Sequence, residues 1–226
     1  MKIFGDGLSI EEIEKHESEF DGFTSNPSLM KKLGVTDYVG YCRDMLSATN
    51  NPVSLEILSD DPVEILREAE TLSALGDNAY IKVPITNSIG QSNVGVIARL
   101  LDSGVKINVT AVFSYSQIQS LLENTPDKNF IISIFAGRIA DSSRNPQDFI
   151  KYAVFGTQDR KAEVLWASTR EVFNITQADH CGCDIITVPI NLYTKYMDNL
   201  WMNLELFSLK TVQMFKGDAD ACEYII

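Results

Sequence analysis

Histidine is nearly absent: His16 and His180 are the only two in 226 residues. A Ser-His-Asp arrangement needs a histidine between a nucleophile and an orienting acid, and neither one offers that setting. His16 lies inside the acidic run Glu11 to Glu19, the pattern of a solvated helix face, and His180 opens the tract His180-Cys181-Gly182-Cys183. That tract lacks the C-x2-C spacing of a zinc site and has no matching second half, so packing is its expected role and no metal is expected. The other cysteines are Cys42 and Cys222, and a core of this size needs neither disulfides nor metal. No stretch approaches the roughly 18 apolar residues that span a bilayer. The start, Met1-Lys2-Ile3-Phe4-Gly5-Asp6, is too short in apolar residues for a signal peptide and meets an acid at once. A cytoplasmic location with reduced thiols is therefore expected. Positive charge is also scarce: 19 Lys and Arg face 31 Asp and Glu, a net charge of -12. That balance argues against nucleic acid or an anionic membrane as partner. It leaves a phosphorylated small molecule open, because a few converging cations suffice locally.

What the chain does have is alternation. Apolar, β-branched runs occur at Lys2–Asp6, Gly22–Asn26, Val53–Ile57, Ala79–Pro84, Lys106–Val112, Phe130–Ala136, Glu163–Ser168 and Asp184–Pro189. Runs such as Ile131-Ile132-Ser133-Ile134-Phe135 do not alternate with polar residues, so both faces should be buried, as in a parallel sheet. Helical signals fill the gaps. Asp61-Pro62-Val63-Glu64 offers an N-cap, a proline at the first helical position and an acid in the first turn. Val63, Leu66, Ala69 and Leu72 read as its apolar stripe, with Gly76 as the stop. Ser114 with Gln117 is a second capping box, Asn145-Pro146 opens another helix, and Val94, Ile97, Ala98 and Leu101 form a stripe ended by Gly104. Eight strands alternating with helices fit a (β/α)8 barrel or a doubly wound sheet. The length is short for the barrel but sufficient with minimal loops. No linker or composition shift divides the chain, so residues 1–226 are expected to form one (β/α)8 domain. Two helical segments follow the last strand, about 190–199 and 201–216; the second, rich in Leu, Met and Phe, is expected to pack on the barrel or on a neighbouring subunit.

Polar residues interrupt the runs near their ends: Asp6, Asn26, Glu56, Lys82, Asn108, Thr110, Ser133 and Ser168, with Arg138 and Arg170 just beyond two of them. In a barrel the strand C-termini share one mouth, where these side chains would converge. Lys82, inside Tyr80-Ile81-Lys82-Val83-Pro84, is the sharpest of the set. Apolar surroundings disfavour an ammonium relative to the neutral amine, the nucleophile that forms a Schiff base with a carbonyl. The bland alternative is a lysine that snorkels to water or pairs with Glu56. Asp6 and Glu56 supply two carboxylates that can divide proton transfers, unless Asp6 caps a helix near Ser9. Arg138 and Arg170 supply cations for a phosphate, and Ser168 with N–H groups at a helix start would add donors. Surface salt bridges are the alternative for each arginine.

Thr24-Ser25-Asn26-Pro27-Ser28-Leu29 resembles the T-T-N-P-S-L signature of transaldolases, and Ile81-Lys82-Val83-Pro84-Ile85-Thr86 resembles the block around their Schiff-base lysine. Asn108-Val109-Thr110-Ala111-Val112-Phe113-Ser114 is similar to N-V-T-L-I-F-S, Ser133 to Ile139 to S-P-F-V-G-R-I, and Ala167-Ser168-Thr169-Arg170 to A-S-x-R. Asp184 to Pro189 matches the last strand, so six blocks fall in family order from Asp6 to about Met197. The length is that of the small subfamily that also holds fructose-6-phosphate aldolase. The resemblance implies that Lys82 carries a dihydroxyacetone unit as a Schiff base and that Asp6 serves as acid and base at the bond broken. Glu56, with Thr110 and a held water, would handle protons during imine formation. Asn26, Asn108 and Ser133 would hold hydroxyls of the three-carbon unit, and Arg138, Ser168 and Arg170 the phosphate of a sugar-phosphate substrate. It implies no cofactor, because the protonated imine is the electron sink, and it implies a homo-oligomer.

Within that resemblance, the aldolase branch carries Gln at the Glu56 position and Tyr at the Phe135 position, where the tyrosine hydroxyl helps place a water. Phe135 has no hydroxyl, so the resemblance implies transaldolase before acceptor-independent aldolase, with a non-catalytic sugar-phosphate-binding barrel as the third reading. Two departures stand out: the first strand ends Gly5-Asp6-Gly7-Leu8 where Asp-Thr-Ala is usual, and Ser25 stands in place of a threonine.

Overall fold

The computed structural model describes residues 1–222, so the last four residues of the expected domain lie outside the described residues. Among the described residues eight strands close one parallel barrel in chain order. They are β1 (Lys2–Asp6), β2 (Gly22–Thr24), β3 (Val53–Glu56), β4 (Ala79–Pro84), β5 (Ile107–Val112), β6 (Phe130–Ile134), β7 (Glu163–Trp166) and β8 (Ile185–Pro189). β8 returns to β1, with Lys2 opposite Ile185 and Asp6 opposite Pro189. Closure removes the free edges that a doubly wound sheet would keep, so the (β/α)8 expectation holds. The strands stop slightly earlier than the apolar runs do. Asn26 and Phe135 have left the sheet and stand at the N-caps of the helices that follow.

The helices are α1 (Ile10–His16), α2 (Pro27–Lys32), α3 (Tyr38–Ser47), α4 (Pro62–Ser73), α5 (Val94–Asp102), α6 (Tyr115–Asn124), α7 (Ala136–Asp141), α8 (Pro146–Thr157), α9 (Phe173–His180), α10 (Ile190–Asn199) and α11 (Leu204–Ala221). Their starts follow the sequence signals. The Asp61 carboxylate accepts from the N–H groups of Val63 and Glu64 at 2.9 and 3.1 Å, and Ser114 and Gln117 form a complete capping box. Gly104 ends α5 at φ +88°, a conformation that glycine adopts without steric cost. The face of α4 differs from expectation: Ile65, Ala69 and Leu72 are buried, while Val63 is 71% exposed. Val63 and Leu72 are nine residues apart, about 180° around a helix at 100° per residue, so both cannot face the core.

Alternate strand residues face the helices and the barrel interior, and the two sets make separate cores. Outward residues such as Val53, Ile81, Val109, Ile132, Val164 and Ile186 join the helices in the main cluster. Inside the barrel, Phe4, Ile131, Leu165, Ala167 and Ile185 pack with one another, with Tyr80 and Phe135 against them. This inner cluster forms an apolar floor below the mouth. Gly22 is part of its fit, since a Cβ there would lie 2.6 Å from the Phe4 ring.

Of the two surfaces expected to cover α11, its own barrel or a neighbouring subunit, the barrel does not. None of its described residues is buried, and Leu204, Val212 and Phe215 are 79%, 59% and 61% exposed. No helix among the described residues is long and apolar enough to cross a membrane.

Candidate active site

β3 and β4 run in register with Glu56 opposite Lys82, and β5 brings Asn108 opposite Lys82 on the other side. Lys82 is 6% exposed. Its Nζ lies 3.0 Å from Glu56 Oε2 and donates to the Ser25 carbonyl at 2.8 Å. The lysine therefore does pair with Glu56, the bland alternative for it, but it does so at the floor of the mouth rather than at the surface. A buried amine with a carboxylate in contact has a proton acceptor at hand, which a nucleophilic amine requires.

Asp6 does not cap α1; Ser9 does, in a capping box with Glu12. The Asp6 carboxyl instead accepts from Thr24 Oγ1 at 2.7 Å, and Thr24 shares a hydrogen bond with Thr187 Oγ1 at 2.6 Å. Asp6 as a residue is partly open to the mouth, while its carboxyl sits deep among protein atoms. Burial pushes that carboxyl above the ordinary aspartate range; the Thr24 hydrogen bond and the Lys82 charge oppose the shift, and the Glu56 charge adds to it.

A second network crosses the barrel. Asn108 Nδ2 donates to Ser54 Oγ at 3.0 Å, and Ser133 Oγ donates to Asn108 Oδ1 at 2.7 Å. These three residues are at most 2% exposed. Thr110 sits above them with a buried hydroxyl that has no hydrogen-bond partner among the described residues. The register of β5 against β6 shifts just after it, and Ala111 takes φ +56°. A bulge of this kind re-aims a side chain at a strand end. Asn26 uses its Oδ1 to accept from the Leu29 N–H at 3.1 Å, which leaves its amide NH2 for another partner.

The candidate phosphate residues lie together because of Gly137. Any Cβ there would collide with the Ser168 carbonyl and come within 3.0 Å of Arg170 Cγ, so the loops after β6 and β7 touch. Ser168 itself stands at φ +63°, strained for a residue other than glycine. Arg138 is exposed, its guanidinium carbon 5.4 Å from the centre of the Phe135 ring. Arg170 forms a half-exposed ion pair with Asp141 at 2.7 Å. One expectation needs correction: Ser168 is not at a helix start. α9 begins at Phe173, and the N–H groups of Arg170 and Glu171 are already taken by Asn174 Oδ1 at 2.9 and 3.1 Å.

Thr24, Ser54, Thr187 and Gly137 are additions that the sequence reading missed. Thr24, Ser54 and Thr187 stand two residues before Asn26, Glu56 and Pro189, so period-two alternation carried the signal. The remaining polar candidates are accounted for by packing. Cys183 donates its thiol to the Val164 and Ile185 carbonyls, and burial pushes that thiol up to about 12. A cavity of about 530 Å³ opens at the opposite end of the barrel beside Lys2, Tyr80 and Glu163. Its lysine and glutamate pair with each other at 2.7 Å, and none of the candidate site residues lines it.

The sequence pattern of the transaldolase/fructose-6-phosphate aldolase family matches residues 3–221. The chain belongs to that family. A protein named "Probable transaldolase" from Maridesulfovibrio salexigens is 32% identical over 86% of this chain and 89% of its own length. One of the same name from Carboxydothermus hydrogenoformans is 34% identical over 86% and 89%. Among solved structures, orotidine 5'-phosphate decarboxylase from Pyrococcus horikoshii OT3 superposes with a TM-score of 0.58 at 14% identity, covering 84% of this chain and 89% of that one. That likeness concerns the fold alone. The family assignment makes this an aldolase- or transaldolase-type enzyme.

Proposed function

We propose that this family member is a transaldolase. It moves a dihydroxyacetone unit from a ketose phosphate, such as fructose 6-phosphate or sedoheptulose 7-phosphate, to an aldose phosphate such as erythrose 4-phosphate. The observation that carries the reading is the contact of a carboxylate, Glu56, with the buried Lys82 amine at 3.0 Å. Lys82 hands its extra proton to Glu56, and the free amine adds to the C2 ketone of the donor. Glu56, with Thr110 and a water, protonates the departing hydroxyl, and loss of water leaves a protonated imine. The Asp6 carboxylate then takes the C4 hydroxyl proton. The C3–C4 bond breaks, its electron pair enters the imine to give an enamine, and the aldose phosphate leaves. Addition of the enamine to a second aldehyde reverses these steps, with Asp6 returning its proton to the new hydroxyl. Asn26, Asn108 and Ser133 hold the hydroxyls of the three-carbon unit. Arg138, Ser168 and Arg170 bind the phosphate through charge-assisted hydrogen bonds. The reaction uses no cofactor and no metal.

Phe135 favours transfer over plain aldol cleavage. A phenyl ring offers no hydroxyl to hold a water that would protonate the enamine, so the enamine waits for an acceptor. α11 carries exposed apolar side chains and buries none of its residues among the described residues, which supports a homo-oligomer assembled through that helix; the expected location is cytoplasmic. The deciding experiment is release of glyceraldehyde 3-phosphate from fructose 6-phosphate with and without erythrose 4-phosphate. Release only with the acceptor is expected. Equal release without it would make the enzyme an aldolase, and no release in either case, with no borohydride-trapped adduct, would leave a binding role.

A further inference from the structure

The parallel ladder between β2 and β3 has a gap at the catalytic end. Each second N–H of the β2 segment donates to β3: Phe23 to the Pro52 carbonyl at 2.8 Å, then Ser25 to the Ser54 carbonyl at 3.2 Å. The next rung in that sequence is residue 27 to the Glu56 carbonyl. Residue 27 is Pro27, which has no N–H and begins α2. An acceptor at a strand end that lacks its ladder partner needs a donor from elsewhere. The phenol of Tyr38, at the first turn of α3, supplies it by donating to the Glu56 carbonyl. Burial raises the Tyr38 phenol above the ordinary tyrosine range, so it remains a donor throughout the working pH range.

Glu56 is the last residue of β3, beyond which the chain turns away to Ile57 and Leu58. From the β4 side, Ile57 donates to the Lys82 carbonyl at 3.1 Å. From the α3 side, only the Tyr38 bond holds the Glu56 peptide among the described residues. Its side chain meanwhile must stay within reach of the Lys82 amine, 3.0 Å away. We infer that Tyr38 is a positioning residue for Glu56, replacing the ladder donor that Pro27 removes and fixing the carboxylate against the Schiff-base lysine. This rests on the proposed imine chemistry. A misplacement of about 1 Å can cost a reaction on the order of 100-fold, so a loosened strand end should be felt at the proton-transfer step. Substrate affinity should change little, because neither Tyr38 nor the Glu56 peptide faces the phosphate or the hydroxyl-binding side chains.

The test is a double-mutant cycle read on the rate of imine formation, by borohydride trapping with fructose 6-phosphate and by kcat and KM. Tyr38→Phe keeps the ring and deletes the hydroxyl. It is expected to slow trapping and lower kcat about tenfold, with KM within about twofold, while the same change in a Glu56→Gln background adds less than about twofold. Tyr38→Leu, which also removes the ring, is the second variant and should show the same dependence on Glu56. Equal losses in both backgrounds for both variants would mean that Tyr38 acts on the fold and not through Glu56. An unchanged trapping rate in Tyr38→Phe would also overturn the inference. Absence of any adduct in the unmutated enzyme would instead remove the imine reading itself, and the inference with it.

Discussion

The two halves of the barrel interior follow opposite rules. Toward the N-terminal ends of the strands the lumen is filled by Phe4, Ile131, Leu165 and Ile185, a plug whose burial stabilises the fold. Toward the C-terminal ends it holds Asp6, Glu56, Lys82, Asn108, Thr110 and Ser133, groups that are costly to bury and that gain by being hydrogen-bonded and paired. The upper half contains a Thr110 hydroxyl without a hydrogen-bond partner among the described residues, left-handed Ala111 and Ser168, and an Asp6 carboxyl that burial holds above the ordinary aspartate range. Polar load of this kind inside an otherwise apolar barrel marks the half that was shaped for chemistry. Substitutions in the upper half should therefore reduce turnover with little loss of fold, and those in the lower half the reverse.

Lys82→Ala should give the largest effect, a loss of turnover on the order of 10⁴-fold or more, because no other amine can form the imine. The fold should persist, since the Glu56 side chain it leaves behind is 18% exposed and open to hydration. Circular dichroism with the coupled assay checks both points, and measurable turnover in a folded variant would remove Lys82 from its role. Phe4→Ala is the counterpart in the floor. Truncating a fully enclosed phenyl ring costs about 3–5 kcal/mol, yet kcat per folded molecule should hold. Denaturant melts beside active-site titration would test it, and a stable but inactive Phe4→Ala would erase the contrast between the halves.

Arg138→Ala should act more mildly. The side chain is exposed and makes a contact that exists in ground and transition states alike, so KM for phosphorylated donors should rise about tenfold or more with kcat nearly kept. Kinetics on fructose and fructose 6-phosphate separate this from a packing effect, because only the phosphorylated substrate should respond. Equal KM changes for both would mean that Arg138 acts through the Phe135 ring it covers and not through phosphate.

How much of this was legible in the sequence depended on the length scale of each signal. The strands were legible because a fully enclosed parallel strand needs an apolar run without polar alternation, and Phe130 to Ile134, broken only by Ser133, is one. The candidate site was legible as a cluster because Lys82 and Glu56 break such runs, and the register places them side by side. The face of α4 was not, because Val63, Leu66, Ala69 and Leu72 are spaced strictly by three and drift about 60° per step around a helix. Thr24 and Thr187 were missed because a threonine in a strand looks like β propensity, and only the closed register brings the two hydroxyls to 2.6 Å. The role of α11 stayed open for a simpler reason: its apolar composition calls for cover, but composition does not say which surface provides it.

The smallest effect sharpens the comparison most, because it concerns the stability of a residue from the polar upper half. Burial raises the Asp6 carboxyl above its ordinary value, so the folded state binds its proton more tightly than the unfolded chain does. Below the unfolded value, near 3.9, both states are protonated and the group costs nothing. As pH rises past that point the unfolded chain ionises first, and stability falls until the folded carboxyl has ionised too. The penalty therefore grows with pH until the folded carboxyl has ionised. Asp6→Asn removes the charge and keeps an oxygen to accept from Thr24, so its Tm at pH 7.5 should exceed that of the unmutated enzyme by a few degrees, about 2–4 °C per kcal/mol at this size. Turnover should be lost at the same time. The gap should close as the pH is lowered toward 4, and thermal melts across that range read it directly. A lower Tm for Asp6→Asn at neutral pH would mean that attraction to Lys82 outweighs burial, and Asp6 would then belong with the residues that hold the barrel together.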